Sequence, residues 1–409
     1  MVSRRLVSAS VPLLVGTLAL SACGSSKSES GSGGGSASSN KTITIGVIAP
    51  LSGDLAEVGN GIKNGVDLAI NQANKAGTVK GYTIKLDAND DTAKPDVGAQ
   101  AASKLVSDSS VVGVVGPLNS SVAKSVAPVL SQAGLVEISP SNTGVELTGR
   151  EALLSGGTQT RPNKTYFRVV ATDDIQGPFG GRYLVKDAGK KKIAIVHDKK
   201  AYGQGLAEAA AAEMKKDGAE VLPTQTINPG DKDFNAVITS LKAQNPDALY
   251  YGGEYPEGGL LSKQMKAAGL NIPVMGGDGL YSSKYIETGG DAVNGDFATS
   301  LGAPTDSLDS AKQFVADYKA AGYKQDKDPY GAYAYDAANA IIKAVAKAVA
   351  DGKTGDALRA AVVDGVQNIS FDGATGQIAF DQFGDTKSKV LTVYQVKDGK
   401  FVAVKTDTF

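Results

Sequence analysis

From residue 42 onward the chain alternates between short apolar runs and amphipathic stretches, and few architectures accept that alternation. "TITIGVIAP" (42–50) reads as a strand that ends in loop residues. "GIKNGVDLAINQANKAG" sets Ile62, Val66, Ala69, Ile70 and Ala73 at helical spacing and stops at Gly77. "YTIKLDAND", "VVGVVGP" and "LVEISP" follow as strands, with helices at "DVGAQAASKLVSD" and "SVAKSVAPVLSQAG". "VVGVVGP" is apolar throughout, the pattern of a strand buried on both faces of a parallel sheet. A second series has strands at "YFRVV", "KKIAIVHD", "EVLPTQTI", "ALYYGG" and "PVMGGDG". Its helices are "GPFGGRYLVKDAG", "GLAEAAAAEMKKDG", "DFNAVITSLKAQNP" and "GGLLSKQMKAAG". Such alternation predicts an α/β fold, with parallel sheets covered by helices on both faces. Two series predict two similar lobes, and 409 residues is too long for one ordinary core. Residues 307–365 read as mostly helical, and "VLTVYQVKDGKFVAVKT" as a strand hairpin turning at Asp398-Gly399.

Composition narrows the function. Hydrophobic content of 42% and charged content of 21% are those of a soluble globular protein. The formal net charge of −1 carries no basic field, so no nucleic-acid partner is expected. One His, one Cys and no Trp exclude most catalytic and metal constellations, since a zinc site needs several His or Cys ligands. No cofactor is implied.

The first forty residues account for the single Cys. "MVSRR" is a positive n-region, "LVSASVPLLVGTLAL" an apolar h-region, and "LSAC" sets small residues before Cys23. This pattern is a secretory signal over residues 1–22. Leu-Ser-Ala-Cys resembles the bacterial lipobox, which implies cleavage before Cys23 and lipidation of its thiol. An ordinary signal peptide and an uncleaved anchor are the alternatives, but the apolar run is short for a span of ~20 residues. Cleavage removes Arg4 and Arg5 and no acid, so the charge falls from −1 to −3. Residues 24–40 are Gly/Ser-rich and cannot bury apolar surface, so 23–40 reads as a lipidated Cys with a flexible tether.

In open α/β sheets, ligands bind beyond the carboxyl ends of the strands. Five polar, Gly-rich loops lie at such ends: "GPLNSS" (116–121), "SPSNTG" (139–144), "HDKKAYG" (197–203), "GGEYPEGG" (252–259) and "GGDGLY" (276–281). Hydroxyls and helix N-termini in "NSS" and "SNT" suit an anion, although Ser120 or Ser121 can equally cap the following helix. Asp278 suits an ammonium or a plain turn, and Tyr255 an apolar ligand or the surface. No nucleophile–base pair, G-x-S-x-G elbow or Walker loop is present. "GQGLAE" (203–208) carries Glu208 at its sixth position, a weak dinucleotide fingerprint. His197 reads as strand-end structure rather than as a base. The chain is not expected to be an enzyme.

At these loops the sequence resembles the branched-chain amino acid-binding proteins of ABC importers, the leucine/isoleucine/valine-binding type with the type I periplasmic-binding fold. "GPLNSS", "ISPSNTGVELT", "IAIVHDKKAYGQGLAE", "GDKDFNAVITSLK", "YYGGEYPEGG", "QMKAAGL" and "MGGDG" carry the resemblance, in family order, over roughly residues 42–400. It implies two Rossmann-like lobes joined by three hinge crossovers near 165–168, 300–303 and 387–390. The N-terminal lobe would comprise 41–166 plus 302–388, and the C-terminal lobe 167–301 plus 389–409. By position, Ser120 and the Thr143 amide receive the α-carboxylate of an amino acid. The Ser141 carbonyl, the Thr143 hydroxyl and Asp278 take its α-ammonium, and Tyr202 closes over it.

The departures bear on the side chain. Asp278 stands where the enteric proteins of that family have the longer Glu. Asn119 replaces a disulfide Cys, Val58 a ligand-touching aromatic, and Tyr333 a Phe. Glu254 occupies the place of a pocket Tyr, with Tyr255 next to it; either Glu254 enters the pocket or Tyr255 takes the role. The resemblance implies an aliphatic amino-acid ligand, ABC permease subunits as partners, a lipid anchor in the membrane, an extracytoplasmic location and a monomer. A sensor of the same fold, and an amide, urea or aromatic-acid binder, are the rival readings.

Overall fold

The computed structural model describes residues 41–327 and 329–409. The expected signal, Cys23 and the tether lie outside the described residues. Among the described residues, no helix is long and apolar enough to cross a membrane.

The first half-series gives β1 (Lys41–Ala49), α1 (Ala56–Ala76), β2 (Tyr82–Asp90), α2 (Pro95–Ser107), β3 (Val111–Val115), α3 (Ser120–Gln132), β4 (Glu137–Ser139), a single turn α4 (Glu151–Leu154) and β5 (Tyr166–Arg168). The five strands form one parallel sheet in the order β2-β1-β3-β4-β5. Every residue of β3 is buried, as its unbroken apolar run requires. The α1 stripe Val58, Ile62, Val66, Ala69, Ile70 and Ala73 is buried. Burying each Ile or Val stabilises the fold by about 1.5–3 kcal/mol. Gly77 ends the helix at φ 60°, its N–H returned to Ala73 and Asn74 carbonyls.

The second series runs α5 (Asp173–Arg182), β6 (Lys192–His197), α6 (Ala201–Lys216), β7 (Glu220–Val221), β8 (Gln225–Thr226), α7 (Asn235–Gln244), β9 (Ala248–Gly252), α8 (Tyr255–Ala267), β10 (Val274–Gly276), α9 (Ser283–Gly289) and β11 (Phe297–Leu301). The strand expected at "EVLPTQTI" is two short pieces, β7 and β8, both paired with β6. Pro223 lies between them and has no N–H for the ladder.

Next come α10 (Lys312–Ala321), α11 (Gly331–Ala350), α12 (Gly355–Gln367), the hairpin β12 (Ser370–Gly373) and β13 (Gly376–Ala379), then β14 (Val390–Lys397) and β15 (Lys400–Thr408). α11 packs on α1 so closely that a Cβ at Gly65 would lie 2.2 Å from the Gly331 carbonyl oxygen. β14 and β15 join the second sheet antiparallel, in the order β15-β14-β11-β10-β9-β6-β7. Asp398 and Gly399, at φ 49° and 71°, make the turn between them.

The chain therefore leaves the first sheet after β5, returns to its flanking helices after β11, and re-enters the second sheet at β14. The three connections run side by side. The Gly302 N–H donates to the Val390 carbonyl at 2.7 Å, and the Arg168 N–H to the Gly384 carbonyl at 3.0 Å.

Candidate functional site

Each sheet has a switch point where successive connections leave in opposite directions. In the first it lies between β1 and β3, in the second between β6 and β9. Loops diverge there and leave a crevice. Both crevices open on one shared cavity. Leu55, Val58, Leu118, Asn119 and Ser120 come from the first crevice, and Tyr202, Glu254 and Tyr255 from the second. Ser141 and Asp278 follow β4 and β10 and complete the polar wall.

Asp278 is 2% exposed. Its carboxylate accepts from Gln176 Nε2 at 3.0 Å, Tyr202 Oη at 2.9 Å and Tyr330 Oη at 2.8 Å. Burial pushes its pKa up, and these hydrogen bonds oppose the rise. All three donors are neutral, so among the described residues none of these partners is a cation. The Tyr202 hydroxyl also accepts from the Gly279 N–H at 2.9 Å, which fixes the ring over the cavity.

Opposite these groups stands the N-terminus of α3. Its N-cap is Asn119, which makes no side-chain cap hydrogen bond, and Ser120 is the first helical residue. The capping alternative for Ser120 therefore does not describe its hydroxyl, which accepts from the Gly144 N–H at 3.3 Å. The first-turn N–H groups of α3 and the Ser120 hydroxyl present a positive edge to the cavity.

The "SPSNTG" loop divides its labour. Ser139 and Asn142 are structural: Ser139 donates to the Pro117 carbonyl at 3.1 Å, and Asn142 Nδ2 to the Leu118 carbonyl at 2.7 Å. Ser141 lines the cavity. Thr143 is buried but is not among the residues lining the cavity; its carbonyl accepts from the Asp173 N–H at 2.9 Å. Beneath the loop, Arg168 is fully buried. It donates to the Asn142 and Gly144 carbonyls at 3.1 and 2.7 Å and pairs with Asp385 at 2.7 Å. An arginine inside a strand-like "YFRVV" gives no sign of this in the sequence.

Tyr333 also lies off the cavity. Its hydroxyl donates to the Leu301 carbonyl at the second connection between the sheets. Tyr330, at the N-cap of α11, takes the place beside Asp278. Three residues along a helix is most of a turn, so only the orientation of α11 decides which tyrosine faces inward.

Glu254 enters the pocket rather than solvent, at 7% exposure. Its carboxylate accepts from Lys200 Nζ at 2.6 Å and from the Asn119 amide nitrogen. Lys200 follows β6 in the "HDKKAYG" loop, where Lys and Lys are indistinguishable by pattern. Tyr255 lines the cavity too, with its hydroxyl donated to the Asp54 carbonyl at 2.6 Å. Two buried acids lie near this pair. Burial first, and the Glu254 charge in addition, raise Asp91 and Asp198 to about 7. His197 Nδ1 accepts from the Lys199 N–H at 3.1 Å, a turn contact at the strand end.

Residues 42–400 match the family described as Periplasmic binding protein. The Leu/Ile/Val-binding protein BraC3 of Rhizobium johnstonii is 35% identical over 364 residues, covering 89% of this chain and 94% of its own. The leucine-, isoleucine-, valine-, threonine- and alanine-binding protein of Pseudomonas aeruginosa is 34% identical over 357 residues, covering 87% and 90%. The crystal structure of the branched-chain amino acid transporter substrate binding protein LivJ from Streptococcus pneumoniae, in complex with isoleucine, matches with a TM-score of 0.78. It is 27% identical and covers 90% of this chain and 100% of its own. The chain belongs to the periplasmic binding protein family, alongside Leu/Ile/Val-binding relatives that it resembles over nearly their whole length.

Proposed function

We propose that this protein is the extracytoplasmic solute-binding component of an ABC importer and captures an α-amino acid with an aliphatic, branched side chain. The observation that carries the reading is Asp278: a buried carboxylate in a cavity wall, held among the described residues by neutral donors only, opposite a helix N-terminus and Ser120. A buried charge is stable when paired, and an α-ammonium supplies the pair. The α-carboxylate meets Ser120 and the α3 N-terminus. Leu55, Val58, Leu118 and Pro329 offer the side chain apolar surface. The Leu/Ile/Val-binding relatives support the same ligand class.

The mechanism is closure of two lobes, 41–166 plus 302–388 and 167–301 plus 389–409, about the three connections. Ser120 and Ser141 belong to the first lobe, Tyr202 and Asp278 to the second, so one zwitterion bridges both and favours the closed state. The protein acts in binding and carries no catalytic step. A lipid on Cys23 and the Gly/Ser tether keep it, as a monomer, near the permease subunits that receive the amino acid.

The test is thermal unfolding of the purified chain, stripped of ligand by unfolding and refolding, against single amino acids. Ligand at ~100 Kd adds about 2.7 kcal/mol, enough to move the midpoint by a few degrees. Leucine, isoleucine or valine should raise it. No response to any amino acid would refute the reading and direct the screen to amides, urea and aromatic acids.

A further inference from the structure

Asn119 and Glu254 stand side by side in the cavity wall. The two side chains are 5% and 7% exposed and come from different sheets. Glu254 accepts from Lys200 through one oxygen and from the Asn119 amide nitrogen through the other. An ionised carboxylate is an acceptor only, so the Asn119 nitrogen must face it. The amide is thereby oriented, and the atom left over is Oδ1. That oxygen is buried and, among the described residues, has no hydrogen-bond partner. Of the hydroxyls around the cavity, those of Tyr202 and Tyr330 are donated to Asp278 and that of Tyr255 to the Asp54 carbonyl.

We infer that Asn119 Oδ1 is a specificity-determining acceptor for a hydrogen-bond donor on the ligand's side chain. The ligand range then extends beyond aliphatic amino acids to hydroxyl- and amide-bearing ones of the same size. This rests on the amino-acid reading above. The physical reason is asymmetry. An aliphatic side chain seals a dry, unpaired acceptor, whereas a donor of equal shape pairs with it. A site built to hydrogen-bond a ligand discriminates strongly against the analogue that lacks the group.

Isosteric pairs isolate the effect: threonine against valine, and asparagine against leucine. Titration calorimetry on the refolded chain should show the polar member of at least one pair bound about tenfold tighter, roughly the gain of one buried hydrogen bond. In Asn119→Leu that ratio should fall to about one or invert. Equal or tighter binding of both apolar members by the wild-type protein would overturn the inference. So would a polar preference that survives in Asn119→Leu. The wild-type comparison decides alone if the variant does not fold. Binding of no amino acid at all would refute the amino-acid reading itself, and the inference with it.

Discussion

At the scale of single residues, burial sets the chemistry. Among the described residues Asp278 has neutral partners only, so removing its carboxylate should remove the partner of an ammonium and free the Gln176, Tyr202 and Tyr330 donors. Asp278→Ala is expected to weaken amino-acid binding on the order of 100-fold or more, the cost of about 3 kcal/mol for a buried charged hydrogen bond. Lys199→Ala should have little effect, because Lys199 Nζ donates to Asn228 at 2.8 Å on the surface. Equal losses in calorimetric titration would count against the assignment. Asp91 makes a second prediction. Its carboxyl, pushed up to about 7 chiefly by burial, keeps a proton in the folded chain that the unfolded chain releases near 3.8. The folded state therefore binds more protons between about pH 4 and 7, and stability falls as pH rises through that window. Asp91→Asn should make the fall shallower in denaturation midpoints measured across it. Unchanged slopes would show that Asp91 does not titrate there.

At the scale of elements, the site depends on loops held from beneath. Arg168 extends from β5 under "SPSNTG" and gathers two of its carbonyls and Asp385. Burial pushes Asp385 upward, but the Arg168 charge and hydrogen bond, with Arg150, outweigh it and hold its pKa below the ordinary value. Arg168→Met keeps much of the volume, strands both carbonyls and leaves the Asp385 carboxylate with Arg150 and Thr148 alone among its described partners. It should cost about 3–5 kcal/mol in urea denaturation. A loss within ~0.5 kcal/mol would mean that water or relaxation replaces the guanidinium. Elements of clear period were legible in the sequence: α1 through its apolar stripe, β3 through its unbroken run. β11 has no such signal. Thr299 and Ser300 are buried in it, and the Thr299 hydroxyl is satisfied by Gln176 at 2.8 Å, a partner 123 residues away.

At the scale of the molecule, contacts bridge the cleft as well as the ligand site. Tyr330 reaches Asp278, Asn119 reaches Glu254, and Lys232 pairs with Asp54 at 3.1 Å on the surface. If a zwitterion bridges two lobes, saturating leucine, isoleucine or valine should reduce the radius of gyration in small-angle scattering relative to the stripped chain. Binding with no change in dimensions would argue against hinge closure. The alternation of periods determined the α/β class and the order of elements, because each run needs only its own neighbours to declare a helix or a strand. The clustering of five polar loops at strand ends was likewise readable, since in parallel sheets those ends share one edge. With the family resemblance it singled out Ser120, Ser141, Tyr202 and Asp278, and all four line the cavity. Only the tertiary structure decided that Tyr330 rather than Tyr333 turns toward Asp278 and that Glu254 is buried. Those outcomes depend on helix orientation and on partners such as Lys200 and Asn119, 54 and 135 residues from Glu254. Local patterning holds no information about such distant pairs; the packing of two sheets brings them together.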